Sequence, residues 1–408
     1  MPLFCFSPGG EGDNAAAFFG LRDKIIRATP SLTHSPTPTP PAVSEYLFPP
    51  AQQHSTLISL ALSSDGRHLL GVFSCKAAVC WDTSSGAVQG SATVHKKPTA
   101  LLCSSLPHSL TGSTPSTPSS FALVSEKGGE VWAYPLPSLG KAVKLLGHTS
   151  SVITDMTMCV SECGSGSGSG SGSRIVTADR DEKIRLTTFP ETSTIFGYCL
   201  GHTDVVTSTT VLSLTPQSSS APLLLSAGWD HRVCLWNTQT CTQLDVIALA
   251  PEQEQEKEQE QEQPVSDHKV DEEDESAADK VYDETKAGHF PLRVVAQPAG
   301  GDTFAVLFWN KPEISLYRVQ QSGSSAEFVK NNGEVATTVI ALPAPPVDCV
   351  FVDEGKTLLA LLPAPHYWLS LSLSGAPAPE GPWTSVVKQF SDAAAQNGRL
   401  NFNILFDC

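Results

Sequence analysis

The sequence predicts an all-β chain folded as a β-propeller, with seven four-stranded blades and low-complexity insertions between strands. Three observations carry this. Short β-type runs recur in groups at a spacing of roughly 40–50 residues, which is the period of propeller blades rather than of a sandwich. The Gly-His dipeptides Gly147-His148 and Gly201-His202 each stand just ahead of such a group. Composition agrees: 40% of the 408 residues are hydrophobic and only 17% charged, while 30 Gly and 31 Pro supply turns for many short strands.

In chain order, Leu3–Phe6 reads as a strand and Ala15–Ile26 as a second apolar segment. The Pro/Thr-rich run 29–41 cannot build a core and is expected to be an extended loop. Gly10, Gly12 and Ala15 match a dinucleotide fingerprint by letter. Pro8 and the lack of an acidic residue about 20 positions on argue against a nucleotide site there. These N-terminal strands count as a degenerate first blade, and its completion by the C-terminal segment is left open.

Blade two follows through Leu57–Leu62, Leu69–Phe73 and Val79–Trp81, with turns at Ser64-Asp65-Gly66 and Ser84-Ser85-Gly86. Blade three uses Thr99–Cys103, Phe121–Ser125 and Val131–Tyr134, interrupted by the Pro/Ser/Thr loop Ser109–Ser120. Blade four uses Val152–Met158, Ile175–Ala178 and Ile184–Leu186; the Gly-Ser alternation 164–173 is expected as a flexible loop between its first two strands. Val205–Leu212, Leu223–Ala227 and Val233–Trp236 make the clearest copy, blade five. An acidic insert, 251–287, expected to be disordered, separates it from two weaker copies. They run through Val294-Val295, Ala305–Phe308 and Ile314–Tyr317, then Cys349–Val352, Leu358–Leu362 and Tyr367–Leu371. Ser385–Ala395 reads as a short helix after the last blade. The whole chain, 1–408, is read as one propeller domain.

The Gly-His dipeptides make the blade type specific. In a WD-repeat blade the His bonds a Ser or Thr on the second strand and an Asp in the next turn, and a Trp on the third strand ends the network. His202, Ser226, Asp230 and Trp236 supply all four in order. His148, Thr177 and Asp181 supply three, with Thr187 where the Trp belongs. Both histidines are therefore structural hydrogen-bonders rather than metal ligands or general bases, since no Cys or acid lies at ligand spacing.

The formal charge of −16 is uneven: Pro251–Thr285 holds 15 Asp/Glu against 3 Lys, so −4 remains for everything else. A nearly neutral body of this kind does not grip nucleic acid by itself, because phosphate binding draws on Lys and Arg. The 11 Cys contain no CxxC, which favours reduced, mostly buried thiols in a cytosolic or nuclear protein. No apolar run reaches the roughly 20 residues of a membrane span, and the start MPLFCFSPGG lacks the pattern of a secretory signal. No nucleophile elbow, phosphate loop or zinc helix is present, which favours a binding platform over an enzyme.

One turn exceeds the needs of its blade. Asp179–Arg185 places six charged residues in seven positions. Blade architecture accounts for an Asp in the turn and for Ile184 and Leu186 inside. It does not ask for Arg180, Glu182 or Lys183, and Glu182 stands where such turns favour Gly for its positive φ. Mixed charges on a rigid turn suit a partner surface, because each sign requires its complement.

ADRDEKIR (Ala178–Arg185), with LGHTDVV (Leu200–Val206) and LLSAGWDHRVCLW (Leu224–Trp236), resembles the non-catalytic WD-repeat subunit of the eukaryotic tRNA (guanine-N7-)-methyltransferase. The likeness is dense over about Leu145–Leu244. It implies a nuclear heterodimer, with the cytoplasm left open as a second location, in which a separate Rossmann-type subunit binds S-adenosylmethionine and methylates N7 of a guanine in the tRNA variable loop. This chain would carry no cofactor, would stabilise and orient that subunit, and would meet tRNA through the complex. The resemblance assigns the partner contact to Arg180, Lys183 and Arg185, with Asp181 and Glu182 holding the turn; Lys183 and Arg185 are expected to meet carboxylates. The alternative is a general WD-repeat scaffold, such as a ubiquitin-ligase substrate receptor.

Overall fold

A computed structural model describes residues 3–7, 15–20, 24–29, 42–106, 119–160, 172–214, 222–249, 290–298, 300–322, 325–363 and 368–373. Their strands form seven antiparallel blade sheets, and Lys330–Asn331 with Glu334–Val335 makes a separate two-stranded ribbon. Blade one comprises Phe4–Ser7, Ala16–Gly20, Lys24–Thr29 and Ala42–Leu47. It draws all four strands from the N-terminal segment, so the degenerate blade expected from sequence is complete without the C-terminus. Blade two is Leu57–Leu62, His68–Phe73, Ala77–Asp82 and Val88–Thr93; blade three is Pro98–Leu106, Ser119–Glu126, Glu130–Pro135 and Val143–Gly147. Blade four is Ile153–Cys159, Arg174–Asp179, Lys183–Thr188 and Ile195–Leu200, and blade five is Val206–Leu212, Leu223–Gly228, Arg232–Asn237 and Gln243–Ala248.

Blade six is Pro291–Ala296, Thr303–Phe308, Glu313–Ser322 and Thr337–Ala341. Its third strand runs past the fourth and pairs its distal half with Ser325–Phe328. Blade seven shows Asp348–Val352, Thr357–Leu361 and Trp368–Ser372. The acidic insert, all but the ends of the two loops 29–41 and 164–173, Gly10 with Gly12, and the C-terminal helix expected at Ser385–Ala395 lie outside the described residues. Among the described helices none is long and apolar enough to cross a membrane.

Position in the blade explains each strand's composition. Second strands are flanked by strands on both edges and by neighbouring blades on both faces, so they are apolar almost throughout. All six residues of Leu223–Gly228 are buried, as are the last five of Arg174–Asp179. Fourth strands lie at the rim, and Val88–Thr93 has no fully buried residue.

The first strands of neighbouring blades lie side by side around an unbroken circle, and Phe4–Ser7 touches both Leu57–Leu62 and Asp348–Val352. One buried carboxylate ties the closure. Asp348, on the first strand of blade seven, accepts from Leu3 N at 2.8 Å and Cys349 N at 2.8 Å, and pairs with Arg293 Nε of blade six at 2.8 Å. Burial pushes its carboxyl up while Arg293 and the two N–H groups pull it down, leaving it above its ordinary value. Around it Val352, Leu359 and Leu361 of blade seven join Phe18, Phe19, Ile25 and Trp81 in one apolar cluster. Asp348→Ala should cost about 3 kcal/mol of unfolding free energy in urea titration, since it strands a largely buried Arg and two N–H donors.

Candidate partner-binding site

In blade five the expected tetrad is complete. His202 Nδ1 lies 2.9 Å from Asp230 Oδ2, and His202 Nε2 lies 2.7 Å from Ser226 Oγ, which accepts from Trp236 Nε1 at 2.8 Å. One proton arrangement satisfies every member: indole to hydroxyl, hydroxyl to Nε2, and Nδ1–H to carboxylate.

Blade four departs from its expected pattern. His148 Nε2 meets Thr177 Oγ1 at 2.8 Å as predicted, but Nδ1 meets Asp179 Oδ2 at 3.0 Å, not Asp181. Asp179, the last residue of its strand, is buried, whereas Asp181 is exposed. The reason is visible in blade five, where Gly228 follows Ala227 just as Asp179 follows Ala178. A Cβ on Gly228 would stand 2.9 Å from both Asp230 Oδ1 and His202 Nδ1. Without that side chain, the Asp two residues on reaches back to the His; in blade four Asp179 already fills the space. Its other oxygen accepts from Asp181 N at 2.9 Å and Lys183 N at 3.0 Å, and Arg180 N donates to Val152 O at 3.0 Å. One carboxylate therefore fixes the whole turn.

The turn so fixed is strained and charged. Glu182 has φ +68° where glycine is favoured, as does His231 at +56° in blade five. Arg180, Asp181, Glu182 and Lys183 are all exposed, and among the described residues none of the four has an ion-pair partner. Pairs do form elsewhere on the surface, as between Lys144 and Glu130 and between Lys24 and Glu45.

Arg185 is separated from these four. It is 8% exposed, and its guanidinium donates from Nε to Thr187 Oγ1 at 3.0 Å and from Nη1 to Gly147 O at 2.9 Å. Arg185 and Thr187 thus occupy the strand positions that Cys234 and Trp236 hold in blade five. In this state the cation faces neutral acceptors, one on its own strand and one at the end of blade three's rim strand, rather than standing ready on the surface for a carboxylate. Burial also draws its pKa down.

The rim strand beside the turn was not singled out from sequence. Leu200 pairs directly with Lys183 and is 63% exposed. Tyr198 and Phe196 alternate with it and are exposed too, the latter under the Arg174 guanidinium at 3.6 Å. An aromatic-aliphatic alternation on an outermost strand, where Val88–Thr93 of blade two carries one large apolar side chain, was the available signal. Glu126 was also missed. Fully buried in blade three, it accepts from the N–H groups of His95 at 2.8 Å and Lys96 at 3.0 Å, an acid-anchored connection without the Gly-His mark. Among the described residues no three His, Cys, Asp or Glu side chains gather as metal ligands.

The profile of a protein family described as the tRNA methyltransferase TRM82 WD40 domain matches residues 116–347, which run from the second strand of blade three through blade six and include this turn. The chain belongs to this family. The TRM82-type relatives include the tRNA (guanine-N(7)-)-methyltransferase non-catalytic subunit wuho of Drosophila mojavensis, 34% identical over 122 residues, covering 30% of this chain and 28% of the relative. The corresponding subunit wdr4 of Xenopus laevis is 30% identical over 128 residues, covering 31% and 28%. TRM82 of Kluyveromyces lactis is 28% identical over 201 residues, covering 47% and 40%. The chain thus spans well under half the length of these relatives. Among solved structures, U3-55K (15% identity, 88% of this chain and 91% of that one) and the RRP9 WD40 repeats (17%, 88% and 90%) each superpose with TM-score 0.54, a likeness of fold alone.

Two outcomes test how the TRM82-type turn is held. Burial pushes the Asp179 carboxyl up, but His148 and the N–H groups of Lys183 and Asp181 outweigh it and leave it below the usual range. Its stabilisation is therefore present above about pH 4 and lost as pH falls through the lowered value. Asp179→Asn should be less stable at neutral pH by about 1–2 kcal/mol and show a shallower loss of stability in acid, read by urea titration across pH. Glu182→Gly should gain stability, by about 1 kcal/mol in the same assay, because it removes a left-handed side-chain residue.

Proposed function

We propose that this chain is the non-catalytic subunit of a tRNA (guanine-N7-)-methyltransferase, holding and orienting a separate catalytic subunit through the Arg180–Lys183 turn. The observation that carries this reading is the set of four exposed charges, of both signs and unpaired among the described residues, on a turn pinned by Asp179. Rigid charges of mixed sign select an orientation as well as a partner, because a wrong pose brings like charges together. The exposed Leu200, Tyr198 and Phe196 alongside supply apolar area of the kind that gives an interface its binding energy, with the charges as its rim. On this reading the partner is a Rossmann-type methyltransferase that binds S-adenosylmethionine and forms N7-methylguanosine in the tRNA variable loop. Its acidic side chains meet Arg180 and Lys183. Arg185 acts as a positioning residue, tying the third strand to Gly147 under the turn.

Support comes also from the family match over residues 116–347 and from the names its relatives carry. Arg180→Glu with Lys183→Glu should leave the far-UV spectrum and thermal transition unchanged and abolish co-purification with the methyltransferase. Reversal of two desolvated pairs costs about 2–5 kcal/mol each, enough to lose a complex through washing. Deletion of the gene should remove N7-methylguanosine from tRNA. Normal levels, with adaptor proteins captured instead, would indicate a general scaffold.

A further inference from the structure

We propose that Cys199 and Cys241 form a peroxide-oxidisable thiol pair whose disulfide staples blade four to blade five. The two belong to different blades: Cys199 lies on the rim strand Ile195–Leu200, and Cys241 in the turn between Arg232–Asn237 and Gln243–Ala248. Cys241 packs against the apolar cluster that contains Cys199. Gly197 makes the approach possible. A Cβ there would stand 2.7 Å from Cys241 Sγ, so the sulfur occupies space that any other residue would fill.

Two further features set Cys241 apart from a filler thiol. It has φ +56°, a left-handed conformation that glycine would adopt at lower cost, and Cys241 N is held on Asn237 O at 2.8 Å. It is also partly open to solvent while Cys199 is fully buried, the arrangement of an attacking and a resolving thiol. The nearby Arg174 guanidinium, anchored on Thr238 O at 3.1 Å, places positive charge beside the sulfur. The interaction with Cys199, together with Arg174, draws the Cys241 thiol down against its burial; the same interaction and burial drive Cys199 up. Cys159, the third thiol nearby, is fully buried.

The chemistry balances with a hydroperoxide as oxidant. The Cys241 thiolate attacks one peroxide oxygen and the O–O bond breaks; Cys241 becomes a sulfenic acid, and the departing hydroxide takes up the thiol's proton as water. Cys199 sulfur then attacks the sulfenic sulfur, the S–O bond breaks, and a second water leaves with the Cys199 proton. Two thiols and one hydrogen peroxide give one disulfide and two waters.

The full chain treated with hydrogen peroxide, alkylated and digested with chymotrypsin, which cuts between Cys234 and Cys241 at Trp236, should yield a Cys199–Cys241 cross-link. Dithiothreitol should remove it. In Cys199→Ser, dimedone should trap Cys241 as its sulfenic acid; in Cys241→Ser, Cys199 should remain fully alkylatable. A link between Cys159 and Cys241 would overturn the pairing. Oxidation of the exposed Cys75 with Cys199 and Cys241 both still alkylatable would overturn the proposal. The wild-type digest alone decides between these outcomes if a variant fails to fold.

Discussion

A propeller is only as rigid as its closure, because each blade is held on both faces by its neighbours. Here closure depends on Asp348, which joins blades six, seven and one through Arg293 and the N–H of Leu3. Both ends of the ring thus meet at a buried charge supported by donors and wrapped in an apolar cluster. Charges of this kind add little net stability, but they specify geometry, since any slip of the closing strands leaves them unpaired. Blade one, supplied whole by the N-terminal segment, makes the closure among the described residues a face-to-face contact between first strands rather than a shared sheet.

Rigidity reaches the candidate site through a second buried acid. Asp179 takes one bond from His148 and two from the turn it supports, so the Arg180–Lys183 side chains project from a fixed backbone. Pre-fixing that backbone lowers the ordering cost of association. Blade four therefore spends one carboxylate on both tasks, whereas Asp230 in blade five serves the tetrad and its own turn with no charged display beyond it.

The sequence made the blades legible because second strands are buried on both faces and read as unbroken apolar runs, and because the His202 tetrad uses residue types in an order that few other folds require. Blade six's long third strand was harder to read, since its distal pairing depends on which chain lies beside it and not on its own pattern. The misassignment of Asp181 has a similar cause. Two acids flank Arg180, and only the glycine at the matching place in blade five, Gly228, shows which of them has room to reach the histidine. The resemblance groups Arg185 with Arg180 and Lys183 in the partner contact, and nothing in its place in the sequence separates it from them. Thr187, in place of a Trp, leaves the space in which it turns in.

That last exchange bears on how the turn is used. Arg185 is a buried cation whose bonds are to neutral acceptors, and among the described residues no carboxylate pairs with it. Burial disfavours its charge, a cost that blade five avoids with Cys234 and Trp236 at the same positions. A blade needing only stability would gain by adopting the blade-five solution. Keeping the guanidinium near the Tyr198 side of the rim strand places an incompletely compensated positive charge beneath the exposed apolar ridge and beside the display of Lys183. On the proposed reading, a carboxylate arriving with the catalytic subunit would strengthen all of these cations at once, because docking excludes the water that screens them. The turn and its support then act as one electrostatic unit, costly in the free chain and repaid only in the complex.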